Sequence, residues 1–107
     1  MKAITRSIKA RKPVKCDVDY VVGTNAIPVD FVYDDFPVPE GSTATAVAVC
    51  GEETEEFDCI VTDNTIRVMP EFTAAGTYIC QVKLKDSRDR TLHGFPVTFH
   101  VYPFCGS

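Results

Sequence analysis

Two histidines, five cysteines and a run of acids are the side chains in this chain best suited to proton transfer, nucleophilic attack or metal binding. A general base must sit within hydrogen-bond reach of the proton it takes. His93 falls at a hairpin end and His100 between Phe99 and Val101, so both read as surface or pleat positions. The sequence holds no Gly-x-Ser-x-Gly elbow and no phosphate-binding loop. No Cys-x-x-Cys or Cys/His pair has zinc-ligand spacing. Glu52, Glu53, Glu55, Glu56 and Asp58 form an acidic cluster, but without the alternate spacing and glycine of a calcium loop. That cluster reads as a solvated hairpin tip. The expectation is a non-enzyme with no catalytic residues, no cofactor and no metal. Asp34 and Asp35 beside Phe36 and Pro37 are open to two readings: a contact knob, or a loop shaped by its prolines.

The cysteines are Cys16, Cys50, Cys59, Cys80 and Cys105. An odd count, behind an N-terminus that lacks a secretory apolar run, argues against an obligate disulfide framework. Free thiols are expected, most of them acting as small core hydrophobes. No segment approaches the roughly 18 apolar residues of a membrane span, so a soluble chain made in a cytosol is expected.

Charge is unevenly placed. The first fifteen residues hold Lys2, Arg6, Lys9, Arg11, Lys12 and Lys15 with no acid, a charge of +6, while the remainder carries −10, giving the net −4. A basic arm precedes an acidic body. Such an arm is either a frayed, solvated terminus or a segment that docks on the acidic surface of a neighbour. Nucleic acid is not expected as a partner, because an acidic body repels phosphates and the arm has no interleaved aromatics.

These residues must be positioned by strands. At 107 residues with 45% apolar and 24% charged side chains, the chain has the size and composition of one globular domain. Residues 14–22 alternate cleanly, with Val14, Cys16, Val18, Tyr20 and Val22 on one face. Further strands are read at 27–33, where Pro28 marks a start or an edge, and at 43–50, 57–62, 65–69, 77–85 and 94–102. Asp63 and Asn64 make a two-residue turn that sets Thr62 opposite Thr65, Val61 opposite Ile66 and Cys59 opposite Val68. A turn at Thr54 and Glu55 would set Cys50 opposite Cys59, the one pair able to form a cross-strand disulfide. Residues 86–90 join the last hairpin. Repeats and low-complexity segments are absent.

Gly76, Tyr78 and Cys80 follow a chain corner, and the Tyr78 hydroxyl can bond back to it. That Gly-x-Tyr-x-Cys spacing is similar to the tyrosine corner of immunoglobulin-like domains. The expected fold is therefore an all-β, immunoglobulin-like antiparallel β-sandwich of about seven strands. It should span residues 14–104, with an arm at 1–13 and a short tail at 105–107. Tyr78, Val82, Leu84, Val97, Phe99 and Val101 are its expected core.

The order of these segments carries a closer resemblance. Val-Tyr-Asp-Asp-Phe-Pro-Val-Pro-Glu-Gly-Ser-Thr-Ala at 32–44 precedes a hairpin, then come Asn-Thr-Ile-Arg-Val at 64–68, Ala-Gly-Thr-Tyr-Ile-Cys-Gln-Val-Lys-Leu at 75–84 and Phe-Pro-Val-Thr-Phe-His-Val at 95–101. Across roughly residues 14–102 this resembles the N-terminal immunoglobulin-like domain of phage upper baseplate proteins. The resemblance implies a virion structural domain joining a host-recognition module to a tail baseplate; related folds decorate phage heads. It implies no catalytic residue. Family members continue into long fibrous regions, and the short tail here leads to the expectation of a small component of a tail or head surface.

Two functions follow as expectations. The first is a bacteriophage virion structural protein, homo-oligomeric and bound to other phage structural proteins, with an assembly interface at Lys2, Arg6, Lys9, Arg11, Lys12, Asp35 and Phe36. The second is an immunoglobulin-like module that recognises a host or cell-surface ligand through its loops. Neither involves a membrane.

Overall fold

The computed structural model describes residues 3–12, 15–22 and 27–103. These form eight strands: β1 (Ile4–Ile8), β2 (Cys16–Val21), β3 (Val29–Tyr33), β4 (Thr43–Cys50), β5 (Glu53–Thr62), β6 (Thr65–Met69), β7 (Gly76–Lys85) and β8 (Thr91–Tyr102). The described residues contain no helix. The strands form one mixed sheet in the order β1-β3-β6-β5-β4-β7-β8-β2. β5 makes the sheet continuous: its first half pairs with β4, from Glu53 opposite Cys50 to Phe57 opposite Ala46, and its second half pairs with β6. The sheet rolls around a single core, leaving β1 and β2 as its edges.

Burial follows the period-two pattern of pleated strands. In β2, Cys16, Val18 and Tyr20 are buried while Asp17, Asp19 and Val21 are exposed. In β7, Tyr78, Cys80, Val82 and Leu84 point inward. With Val97, Phe99 and Val101 of β8, these include all six expected core residues, each no more than 4% exposed. The corner bond also forms, the Tyr78 hydroxyl donating to the Ala74 carbonyl at 3.0 Å.

Aromatic rings organise the interior into two groups. Phe72 lies between β6 and β7 and is 2% exposed. Its ring meets Tyr78 at 4.7 Å, Phe57 at 5.2 Å, Phe99 at 5.3 Å and Tyr20 at 5.6 Å. Elsewhere Phe31 and Tyr33 of β3 pack edge-on against Phe95 of β8. Such pairs contribute about 0.5–1.5 kcal/mol beyond their area burial.

Three expectations are corrected. The sheet is mixed, not wholly antiparallel, because β1 runs parallel to β3 and β2 parallel to β8. Eight strands form where about seven were expected, since residues 4–8 of the basic arm belong to the sheet. The β4–β5 turn falls at Gly51 and Glu52, with Gly51 at φ +61°, a left-handed conformation that glycine adopts without steric cost. Cys50 therefore faces Glu53 and not Cys59. The Asp63–Asn64 turn matches its expected register at every named pair, with Asp63 at φ 52°. Val14 lies outside the described residues.

Replacing Phe99 with Ala should cost about 3–5 kcal/mol, because its ring packs on Tyr20, Phe57 and Phe72. Thermal unfolding should show a melting temperature lower by at least about 10 °C. Tyr78→Phe removes only the hydroxyl bonded to the corner and should cost about 1 kcal/mol.

Candidate functional site

Of the residues expected at an assembly interface, Lys9, Arg11, Asp35 and Phe36 lie together where β1 leaves the sheet. Alternation along β1 places Ile4, Arg6 and Ile8 on one face, with Ile8 fully buried and Ile4 partly buried against the core. The strand lies along β3 in register from Ile4 opposite Val29 to Ile8 opposite Tyr33. Two backbone bonds mark its ends: the Ile4 N–H donates to the Pro28 carbonyl at 3.0 Å, and the Asp34 N–H donates to the Ile8 carbonyl at 3.1 Å.

Beyond β3, the two adjacent acids turn back on the arm. The Ser7 hydroxyl donates to the Asp34 carboxylate, and the Lys9 ammonium lies 3.5 Å from the same group. Asp35 accepts the backbone N–H of Ala10 at 2.7 Å and of Arg11 at 3.3 Å. The Lys12 N–H donates to the Lys9 carbonyl at 3.5 Å, closing a turn. Burial acts to raise the Asp35 pKa, but the two N–H donors and the charges of Lys9 and Arg11 together hold it below the ordinary carboxylate value.

Behind this clasp sits a tyrosine–histidine pair. The Tyr33 hydroxyl and His93 Nδ1 are 2.9 Å apart, and Phe36 packs on Tyr33 with ring centroids 5.7 Å apart. Burial pushes the His93 pKa down against the opposing pull of the Asp35 charge, so the imidazole favours its neutral form. Burial pushes the Tyr33 hydroxyl pKa well up.

The structure thus joins Lys9, Arg11, Asp35 and Phe36 within the chain itself. Phe36 is partly buried against Tyr33 rather than projecting as a knob. Arg6 folds back to donate to the Thr5 carbonyl at 3.1 Å. Lys12 is exposed, and Lys2 lies outside the described residues. His93, which the sequence suggested as a surface or pleat position, instead packs on Tyr33; Ser7 and Tyr33 carry no such signal in the sequence, and only a known β1–β3 pairing would have brought Ser7 beside Asp34.

The remaining reactive side chains are dispersed. Among the described residues, no three of His, Cys, Asp and Glu are grouped as a metal-ligand set. His100 lies 3.5 Å from Asp17 at the β2 edge. A surface hollow of about 450 Å³, bounded by Val38, Ser42, Val61 and Asp63 among others, contains no histidine or cysteine. The cysteines described, Cys16, Cys50, Cys59 and Cys80, are free thiols; Cys105 lies outside the described residues. Burial, aided by the nearby Cys59, pushes Cys80 up to about 12, and burial with Asp58 pushes Cys59 up to about 11.

No family model matches the sequence, and no curated protein does either. In structure, the chain is similar to part of a Bacteroides vulgatus ATCC 8482 protein provisionally described as a glycoside hydrolase. The TM-score is 0.57 at 20% identity, over 85% of this chain and 17% of that one. The likeness is one of fold, and this chain spans less than a fifth of that protein's length.

Thiol reactivity gives a direct check on the buried cysteines. A thiol raised to about 12 carries roughly a thousandfold less thiolate at pH 8 than an ordinary cysteine. Alkylation of the native protein, mapped by mass spectrometry, should modify the partly buried Cys50 before the buried Cys80. Cys80 should react only after denaturation.

Proposed function

We propose that this chain is an immunoglobulin-like structural domain of a bacteriophage particle, non-enzymatic and used for attachment or assembly at the baseplate, tail or head surface. The observation that carries the reading is the tyrosine corner of β7. The Tyr78-to-Ala74 bond closes over Phe72 in the segment that resembles the phage baseplate domains. The surface chemistry supports assembly over catalysis. Val49 and Ile79 are paired neighbours on the outer face, 43% and 46% exposed, and Ile60, at 50%, stands on the second half of β5. The partners fitting this reading are other virion proteins and further copies of the chain, in the rotationally symmetric arrangements that tails and heads impose. It places the working protein in the virion, after assembly in the host cytoplasm.

A second reading is favoured by the Bacteroides similarity. In it the fold is a binding module that holds a cell-surface ligand, of which a glycan is one class, through the loops.

Mass spectrometry of gradient-purified particles, produced by the virus whose genome encodes this chain, tests the first reading. It should find the protein at a fixed copy number per particle that survives a salt wash. Its absence from intact particles, combined with retention on immobilised glycans, would replace the first reading with the second.

A further inference from the structure

We infer that the free edge of β5 is a docking site for an extended, basic segment of a partner protein, which adds there as a further strand. β5 changes partner halfway along its length. Its ladder with β4 ends at Ala46 opposite Phe57, and from Asp58 onward it pairs with β6. Past that point the two strands part. Thr43 and Ala44 have β7 as their paired neighbour and residues 59–62 have β6, so among the described residues neither stretch is paired across the gap. Backbone groups on such an edge are a template for another strand.

The split is shaped to take one. A hollow of about 460 Å³ opens where the strands part, and the hollow of about 450 Å³ beside Val38 and Val61 lies further along the same split. Residues 57–62 span roughly 17 Å at about 3.3 Å per residue, room for a strand of about six residues. The wall facing the end of β5 is held by its own bonds. The Ser42 hydroxyl and N–H both donate to the Pro39 carbonyl, at 2.6 and 3.3 Å, and the Val38 N–H donates to the Asn64 side chain at 3.2 Å. Ala44, Cys59 and Val61 are partly buried against the core, so alternate side chains of an added strand meet an apolar floor. The outer edges of the sheet are guarded differently. β1 carries Arg6 and β2 carries Asp17 and Asp19, charges that discourage strand pairing. Residues 59–62 are Cys-Ile-Val-Thr, with no charge and no proline.

Charge selects the occupant. The residues bounding the two hollows include Glu40, Glu56, Asp58 and Asp63 and no lysine, arginine or histidine. Of the bases on flanking strands, Arg67 is held by Asp30 through bonds of 2.8 and 3.0 Å, and Lys83 stands on β7 opposite Thr45. A segment that alternates lysine or arginine with small apolar residues therefore matches both the acids at the rim and the apolar floor. This docking is a property of the isolated domain and holds whether the chain works in a particle or at a cell surface.

Amide hydrogen exchange of the full chain with a synthetic probe tests this. The probe is a peptide of about eight residues that alternates lysine and valine, long enough to cover the free edge. With it present at up to about 1 mM, where even weak binding registers, the amides of residues 59–62 that point away from β6 should exchange about tenfold slower. Amides of β7 should be unchanged. The same peptide N-methylated along its backbone keeps its charge but cannot pair, and should give no protection. A peptide alternating glutamate and valine should bind at least tenfold more weakly. Glu56→Lys with Asp58→Lys, both at exposed positions, should reverse the order of the two peptides. If that double variant loses protection in β7, the two peptides on the parent chain decide the charge comparison alone. No protection of residues 59–62, equal binding of the N-methylated or the acidic peptide, or protection confined to β1 or β2 would overturn the proposal.

Discussion

Burial of the Phe72 ring is the constraint on which the rest of the structure depends. The residue belongs to a connection, not a strand, yet its ring touches side chains of β2, β5, β7 and β8. In the sheet order β4 separates β5 from β7, β8 and β2, so a single side chain couples segments that are not neighbours in the sheet and lie far apart in sequence. The Tyr78 hydroxyl, bonded to the Ala74 carbonyl, fixes the connection that carries Phe72. A connection of this kind would ordinarily lie on the surface. Here it is drawn inward by the large apolar area that an aromatic ring buries.

Stability is consequently uneven. β7 is paired along its whole length with β8 and from Ile79 to Lys85 also with β4, whereas β1 has one neighbour and a polar clasp. Elements with few buried apolar contacts open at lower free energy than those in a core.

Local chemistry made much of this fold legible. The Asp63–Asn64 turn fixed a register that holds at every named pair, and the alternation in β2, β7 and β8 identified their buried faces. The β4–β5 turn was misplaced because four glutamates near it look like a solvated tip. Three of them, Glu53, Glu55 and Glu56, are strand residues, while Glu52 shares the actual turn with Gly51. β1 was hidden because Arg6 occupies the middle of its inward face, so Ile4 and Ile8 do not read as a strand. Both parallel pairings join residues whose partners lie about 25 and 80 positions away. No periodicity within a strand records such a partner. The site shared that limit: Asp35 and Lys9 were legible as charges, and their union within one chain was not.

The central claim, that one loop aromatic ties the sheet together, is tested most directly by nuclear Overhauser effects in the native protein. The account predicts cross-peaks from the Phe72 ring protons to the rings of Tyr20, Phe57, Tyr78 and Phe99. A Phe72 ring that shows contacts only to its sequence neighbours, with the shifts of a solvated phenylalanine, would contradict it.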